Sequence, residues 1–404
     1  MISKKVCMLF LRHSALDDRI YYKEAKTLLN GGYDVHLLCR MHDGVFTNMG
    51  GIPVGYPDEN GVWKHDGITF HGIRKRSGLL GKWLEYKDLV RVGLSLKADV
   101  YHCHESDIAL SAAMRIKKSL RNSTKLIYDL HEFGSASWKD ILLSDLRNIV
   151  LHIFTCGRKK AINCSDYIIT ANTIVRGFSL VINRHKNVEI LENGPILSIF
   201  KDMGKSMVDK NVVHLCHEGH LGFNRGLKEM VSLIENSAAR VNLKIIGAVS
   251  GIEENWLAAK FKDNPALLKR IHITGWLPYE EVGNALSGSD IGLITFHPSV
   301  NNMLAGPPNK LYNYMRYGMP VVSVDLPETR AIISKYRCGI VVRDWNVSSI
   351  VQAIQYLIDN PEEAKAMGQR GKEAILNELS WERQGEKLLK VYESLLYKKP
   401  FFVF

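Results

Sequence analysis

The chain lacks long apolar runs, paired cysteines and low-complexity segments. Its best candidate for a membrane span, residues 149–156, is far shorter than the roughly 20 residues that cross a bilayer. Seven cysteines are scattered without a CxxC pair, which argues against a zinc site or a disulfide framework and favours a reducing compartment. We therefore expect a cytoplasmic protein that is soluble or peripheral to the plasma membrane.

The length and the charge distribution narrow the class further. At 404 residues the chain is long enough for two domains with full-sized cores. Its net charge of +11 is concentrated in residues 1–200, which contain 28 basic and 20 acidic residues, whereas residues 201–404 contain 25 and 22. A basic half favours an anionic partner, such as a phosphorylated substrate or an anionic membrane. Nucleic acid is not an expected partner, because no recognition motif for it is present.

Strand-like apolar runs alternate with amphipathic, helix-length stretches along most of the chain. The predicted strands are residues 6–11, 34–39, 99–102, 125–130, 167–171, 188–191, 212–216, 242–246, 270–274, 291–294 and 321–324. This alternation predicts an α/β protein with two doubly wound, Rossmann-like domains that face a cleft. We place the first domain at residues 1–200, a polar linker at 201–210, the second domain at 211–380 and a C-terminal helix at 381–404.

Residues 306–322 form the most informative segment, a loop with two prolines followed by a helix and a buried strand. A helix N-terminus offers unpaired amides and a partial positive charge, which suit a phosphate group. Lys310 adds a full charge in the first turn. Asn313, three residues later on roughly the same face, can hydrogen-bond ribose hydroxyls. The alternative is a capped helix with a surface lysine.

The string from Pro308 through Lys310, Asn313 and Gly318 to Val322 resembles the signature of GT-B-fold glycosyltransferases of family four. Further landmarks follow in family order at residues 219–226, 271–277, 289–293, 338–342 and 379–381. The resemblance extends over most of the chain and implies a retaining, nucleotide-sugar-dependent enzyme of the bacterial type. It also implies that the last helix crosses back to the first domain.

The resemblance assigns roles to individual residues. Arg225, in the glycine-rich loop, is expected to contact the diphosphate together with Lys310, and His131 is expected to contact the donor sugar. We expect these three residues to be catalytic. The predicted donor-binding residues are Gly219, Gly222, Arg225, Thr274, Trp276, Lys310, Leu311 and Asn313.

No metal or other cofactor is expected at the donor site. A nucleoside diphosphate leaving group develops charge that must be stabilised, often by a divalent metal held between carboxylates. The sequence contains no DxD triplet in a plausible loop. Arg225, Lys310 and a helix dipole can stabilise the charge instead.

Support for the acceptor-binding residues is weaker, and it comes from the resemblance to the family. The predicted acceptor-binding residues are His13, Asp17, Arg19, His104 and Glu105. A pattern like the one from Asp17 to Arg19, followed by residues 23–25, occurs in a bacterial subset of the family, although Asp18 can equally be a helix N-cap. His102 and His104 have a spacing compatible with a metal, but no further ligand is evident in the sequence.

Residues 74–84 interleave basic side chains with leucine and tryptophan. This composition suits the headgroup boundary of an anionic membrane, and a solvated loop or a partner contact explains it equally well. Residues 398–404 form a second basic and apolar segment.

Two positions depart from the family pattern. The family commonly has glutamates where this chain has Asn313 and, eight residues earlier, Ala305. We expect donor binding to be weakened, re-routed or directed to an unusual sugar. The leading hypothesis is sugar transfer to a carbohydrate or a lipid-linked carbohydrate in cell-surface polysaccharide synthesis. The alternatives are a non-catalytic glycosyltransferase-like subunit, and an inverting transferase or sugar-nucleotide epimerase with Glu105, Glu132 or Asp17 as general base.

Overall fold

The computed structural model describes residues 3–104, 107–121, 123–130, 159–183, 187–200, 212–299, 302–303 and 305–397. The chain divides into two compact units. Unit 1 comprises Met1–Glu192 and Gln384–Phe404, and unit 2 comprises Asn193–Arg383. The predicted linker at 201–210 lies outside the described residues. None of the described helices combines the length and the apolar character that a membrane crossing requires.

The strands of unit 1 form a largely parallel sheet with a small antiparallel pair beside it. They are β1 (Lys5–Phe10), β2 (Asp34–Met41), β3 (Phe46–Thr47), β4 (Pro53–Gly55), β5 (Val62–His65), β6 (Ile68–Arg74), β7 (Val100–His104), β8 (Lys125–Leu130), β9 (Tyr167–Thr170) and β10 (Asn187–Ile190). Among the described residues the sheet order is β10-β9-β8-β7-β1-β2-β6-β5, with β3 paired to β4. β1 is apolar at nearly every position because a parallel strand is covered on both faces.

The region between residues 46 and 74 was not predicted to contain strands. It contains β3 to β6, of which β5 pairs antiparallel with β6. These strands are short and their residues are mixed in polarity, so they lack the continuous apolar run of a buried parallel strand.

The described helices of unit 1 alternate with its strands along the chain. α1 runs as π-helical turns over Asp18–Ala25 and continues as α-helix over Lys26–Asn30, and it is followed by α2 (Gly78–Leu96), α3 (Asp107–Ser119) and α4 (Thr173–Ile182). The N-cap of α1 is Asp17, not Asp18, because the Asp17 carboxylate accepts from the amides of Arg19 and Ile20. The C-terminal helix α12 (Trp381–Leu396) returns to unit 1 from Gln384 onward.

Unit 2 has the strand order of a dinucleotide-binding fold. Its strands are β11 (Val213–Glu218), β12 (Val241–Ile246), β13 (Ile271–Ile273), β14 (Ile291–Ile294), β15 (Val321–Val324) and β16 (Gly339–Val342). They pair in parallel in the order β13-β12-β11-β14-β15-β16. The order reverses between β11 and β14, and ligands of such sheets bind outside the carboxyl ends of the strands at this switch point.

The helices of unit 2 follow the strands as the alternation of the sequence predicts. They are α5 (Leu227–Asn236), α6 (Ile252–Asp263), α7 (Tyr279–Leu286), α8 (Asn309–Arg316), α9 (Pro327–Tyr336), α10 (Val347–Asp359) and α11 (Pro361–Ala374). α8 is almost wholly buried, including its polar residues, because it lies against the sheet beside the switch point. This burial places the predicted phosphate-binding helix inside the unit.

Helix α11 approaches the turn after α8 so closely that it needs a glycine. A Cβ atom added to Gly368 would overlap the carbonyl oxygen of Gly318. We predict that Gly368→Ala lowers the free energy of unfolding of unit 2 by about 1–3 kcal/mol, because backbone atoms must move apart. The matched control is Gly177→Ala in α4, where a Cβ atom would have open space. Chemical unfolding of the full chain measures both, and equal effects would contradict the packing argument.

Candidate functional site

A glycine-rich loop follows β11 at the switch point of the sheet in unit 2. Gly219 and Gly226 have φ angles of +93° and +90°, which favour glycine. A Cβ atom at Gly226 would also overlap Thr295, at the end of β14. The loop ends in a 3₁₀ turn at Phe223–Arg225, and α5 begins immediately after it. The backbone therefore brings a helix N-terminus to the carboxyl end of β11, a geometry that suits an anion.

Arg225 lies at the end of this loop and is half-buried. Its Nη1 atom donates a hydrogen bond to the carbonyl oxygen of His220 at 3.2 Å. Its guanidinium carbon lies 5.6 Å from the ring centroid of Phe296. The loop carbonyl and the aromatic ring thus orient the guanidinium at the switch point.

Lys310, in the first turn of α8, is 5% exposed. Its Nζ atom donates to His217 Nε2 at 3.0 Å and lies 4.8 Å from the ring centroid of Phe296. Burial, and then the charge of Arg225, lower the pKa of Lys310 from 10.5 to about 7. Lys310 and Arg225 therefore approach the same aromatic ring, and an anion that binds beside them would relieve their repulsion.

His217 was not predicted to belong to the site. It is fully buried in β11, and burial together with the charge of Lys310 holds its pKa well below the ordinary value. The imidazole is therefore neutral, and its Nε2 accepts from the Lys310 ammonium. The sequence feature that could have indicated His217 is its position directly after the predicted strand at 212–216, two residues before Gly219.

Asn313 contacts a second residue that was not predicted, Glu218. Asn313 is 3% exposed, and its Nδ2 atom lies 2.9 and 3.0 Å from the two carboxylate oxygens of Glu218. The backbone amide of Glu218 donates to the Tyr314 hydroxyl oxygen at 2.9 Å. The last residue of β11 is therefore tied to α8 by its side chain and by its main chain.

The other predicted donor residues lie around the same strand ends. The Thr274 Oγ1 atom accepts from the amide of Gly247 at 3.2 Å and donates to the carbonyl oxygen of Gly275 at 2.8 Å. Trp276 is half-buried in the loop after β13. The Leu311 side chain is fully buried in the core, so only its backbone is available to a ligand. Gly222 precedes the 3₁₀ turn of the loop.

The predicted acceptor-binding residues of unit 1 are only partly accessible. His13 Nδ1 lies 2.9 Å from Asp17 Oδ2, and the Asp17 side chain also caps α1. Arg19 and His104 are buried among charged groups of unit 1. Their role in acceptor binding stays a prediction. Glu105, Glu132 and His131 lie outside the described residues.

Arg19 is the centre of a buried cluster in unit 1. Its Nε atom lies 2.8 Å from Glu24 Oε1, its Nη2 atom lies 3.0 Å from Asp129 Oδ2, and its Nη1 donates to the carbonyl oxygen of Leu191 at 3.1 Å. His102 and His104 stack at 4.3 Å beside the two carboxylates. The sequence showed no fourth ligand for a metal at the two histidines, whereas in the folded chain Glu24 and Asp129 each place one oxygen near them.

The same cluster already contains a cation. One ligand atom each from Glu24, His102, His104 and Asp129 lies within 4.8 Å of the others. A metal ion there would add positive charge beside the Arg19 guanidinium, which contacts both carboxylates. Burial raises the pKa of Glu24 well above its ordinary value, despite the opposing effect of Arg19. Burial therefore disfavours the ionised form of Glu24, and the charge of Arg19 offsets part of the negative charge of the two carboxylates.

Comparisons with known proteins agree with the fold. Residues 201–374 match the family of group 1 glycosyl transferases. The chain is 26% identical to the glycosyltransferase MJ1069 of Methanocaldococcus jannaschii over 296 residues. The alignment covers 70% of this chain and 71% of MJ1069.

Two solved structures have the same architecture. The superposition with sucrose-phosphate synthase of Thermosynechococcus elongatus has a TM-score of 0.70 at 13% identity. It covers 97% of this chain and 99% of the synthase chain. HepE of Anabaena in complex with UDP-glucose has a TM-score of 0.68 at 11% identity, with 96% and 99% covered. The fold is therefore that of the GT-B glycosyltransferases. The chain is a glycosyltransferase, and its residues 201–374 carry the group 1 family domain.

The lowered pKa of Lys310 predicts how anion binding depends on pH. Below about pH 7 the ammonium is charged and attracts an anion, and above it the unliganded site loses this charge. We predict that the affinity advantage of the wild type over Lys310→Met for pyrophosphate falls as the pH rises from about 6 to about 9, by up to about tenfold per pH unit.

Titration calorimetry measures both proteins, and the methionine variant corrects for the titration of pyrophosphate itself. An advantage that stays constant over this pH range would contradict the prediction.

Proposed function

We propose that the enzyme transfers a sugar from a nucleoside diphosphate sugar to a hydroxyl group of a carbohydrate or a lipid-linked carbohydrate. The observation that carries the proposal is the approach of Arg225 and Lys310 to the same ring at the carboxyl end of β11. Two cations beside a glycine-rich loop suit a diphosphate better than a neutral ligand or a single carboxylate. The complex of HepE with UDP-glucose makes a uridine nucleotide the first donor to test.

The chemistry that fits this site needs no metal ion. As the glycosidic bond breaks, negative charge develops on the diphosphate, and Arg225, Lys310 and the loop amides stabilise it. We propose that the configuration is retained by attack on the same face within an ion pair. The leaving phosphate then accepts the proton of the acceptor hydroxyl, so a separate protein base is not required. His131 stays the predicted contact of the donor sugar.

The variant Arg225→Ala tests the donor site. We predict that it lowers turnover about 100-fold or more, because one of the charges that stabilise the leaving group is lost. Arg240→Ala, at an exposed position of unit 2, is the matched control and should retain activity. Mass spectrometry of donor hydrolysis and transfer, with a panel of UDP-, GDP- and ADP-sugars, gives the readout. Near-wild-type turnover of Arg225→Ala would overturn the donor-site assignment.

The same screen tests the two finer parts of the proposal. Turnover should persist in the presence of EDTA if no metal is required. NMR of the product distinguishes retention from inversion of the anomeric configuration. Ala305 has no carboxylate to offer, and this keeps the non-catalytic subunit as the second candidate. Nucleotide binding without any hydrolysis or transfer would favour that candidate.

We further propose that the N-terminal part of α2 contacts an anionic membrane. Leu79, Leu80 and Trp83 are 88%, 70% and 49% exposed. Basic side chains surround them, both in the segment before α2 and in the helix itself: Arg74, Lys75, Arg76, Lys82, Lys87 and Arg91. Exposed apolar side chains inside a basic surface suit the headgroup boundary of an anionic bilayer. This surface would bring the enzyme to a lipid-linked acceptor.

The double variant Leu79→Glu/Leu80→Glu tests the membrane contact. We predict that it lowers binding to vesicles of phosphatidylcholine and phosphatidylglycerol by about tenfold per leucine, because the apolar burial is lost. Leu268→Glu, a leucine of unit 2 that is 60% exposed, is the control. Co-sedimentation is the measurement, and vesicles of phosphatidylcholine alone should bind weakly. Equal binding of the two charged variants would contradict the assignment.

A further inference from the structure

Glu218 was not predicted from the sequence to belong to the donor site, where Asn313 was the candidate for binding ribose. It is the last residue of β11 and immediately precedes Gly219 of the phosphate-binding loop. Its carboxylate contacts Asn313 Nδ2 through both oxygens. It also acts on the nearby cation, because its negative charge counters part of the lowering of the pKa of Lys310. A carboxylate is therefore present beside Asn313, although it belongs to a strand and not to α8.

The contact with Glu218 fixes the orientation of the Asn313 amide. A carboxylate can only accept hydrogen bonds, so the amide must turn its NH₂ group toward Glu218. The Asn313 Oδ1 atom is then left as an acceptor on the other side of the amide. An ionised carboxylate offers about four lone-pair directions, so Glu218 can bind Asn313 and still accept from a ligand. The pair as a whole presents acceptors, which suits hydroxyl donors.

The position of Glu218 in the sheet indicates which hydroxyl groups it would meet. β11 pairs with β12 so that Glu218 lies opposite Ile246, and the next residue, Gly247, donates its amide hydrogen to Thr274. A Cβ atom at Gly247 would overlap the carbonyl of Gly219, so these strand ends are in close contact. Glu218 thus lies between the phosphate-binding cations on one side and the loop after β13 on the other.

We propose that Glu218 supplies the carboxylate that binds the ribose diol of the nucleotide, with Asn313 as its partner. This inference rests on the proposed function, in which the cations hold the diphosphate and the loop after β13 lies beside the nucleobase. The ribose joins these two groups of a nucleotide, and a carboxylate at a strand end is a recurrent acceptor for ribose hydroxyls in related sheets. In this chain the carboxylate that would bind the ribose lies on β11 and not on α8.

The test compares UDP with its 2′,3′-dideoxy analogue by titration calorimetry. The wild type should bind UDP about tenfold to 100-fold more tightly than the analogue, because hydrogen bonds to a charged acceptor are lost without the hydroxyl groups. Glu218→Gln should reduce this ratio to near one. The ratio is the readout because the lost charge also acts on Lys310, and so affects the binding of both diphosphates alike. Glu235→Gln in α5 is the matched control and should keep the wild-type ratio.

A reciprocal variant separates the charge from its location. Glu218→Gln/Asn313→Glu returns a carboxylate to α8, and it should recover most of the wild-type ratio. A Glu218→Gln protein with an undiminished ratio would overturn the inference and leave the proposed function intact. A lowered ratio that the double variant does not recover would also overturn it, because the loss would then come from altered geometry. No binding of UDP, GDP or ADP by the wild type would instead refute the proposed function.

Discussion

The burial of the Lys310 ammonium beside a second cation is the constraint on which the donor site depends. An ammonium in the interior is unfavourable unless its hydrogens find acceptors, and His217 provides one only because it is itself neutral. Glu218 offsets part of the positive charge, and Phe296 offers its ring to both cations. The arrangement holds positive charge ready in the unliganded protein. An incoming diphosphate would therefore meet preorganised cationic groups.

The buried cluster of unit 1 differs from the donor site, because its carboxylates outnumber the arginine that contacts them. Glu24 and Asp129 both contact the Arg19 guanidinium, and one arginine cannot neutralise two ionised carboxylates. Burial raises the pKa of Glu24 well above its ordinary value, so that ionisation of both carboxylates together is disfavoured. The His102 Nδ1 atom lies 2.9 Å from the Tyr392 hydroxyl of α12, so the cluster also ties the C-terminal helix to the sheet. The cluster therefore connects α1, β7, β8 and α12 within unit 1.

Much of the fold could be predicted from the sequence, because buried parallel strands are continuous apolar runs. The runs at 291–294 and 321–324 coincide with β14 and β15. Strands β3 to β6 could not be predicted from such a run, since β3 to β5 have only two to four residues and β6 interrupts its buried apolar residues with polar ones and glycine. Of the donor site, Arg225 and Lys310 were recognisable from their spacing in a motif. Side-chain contacts that form only in the tertiary structure, such as that between Glu218 and Asn313, could not be predicted.

Glu218 also shows why the loss of a motif residue is weak evidence for the loss of a function. The sequence has asparagine where related chains commonly have glutamate, and the letters alone suggest a damaged site. In the folded chain, Glu218 is the last residue of β11 and directly precedes the phosphate loop. Its carboxylate contacts the side-chain amide of Asn313 on α8, so a carboxylate is present beside the position where the glutamate was expected. Whether a ligand hydroxyl forms a hydrogen bond depends on the position of the acceptor oxygen, and not on whether a strand or a helix carries that oxygen. Ala305 differs, because its side chain offers no polar atom for a neighbouring residue to orient. The remaining difference from related enzymes is therefore expected in the choice of the transferred sugar and not in the binding of the nucleotide.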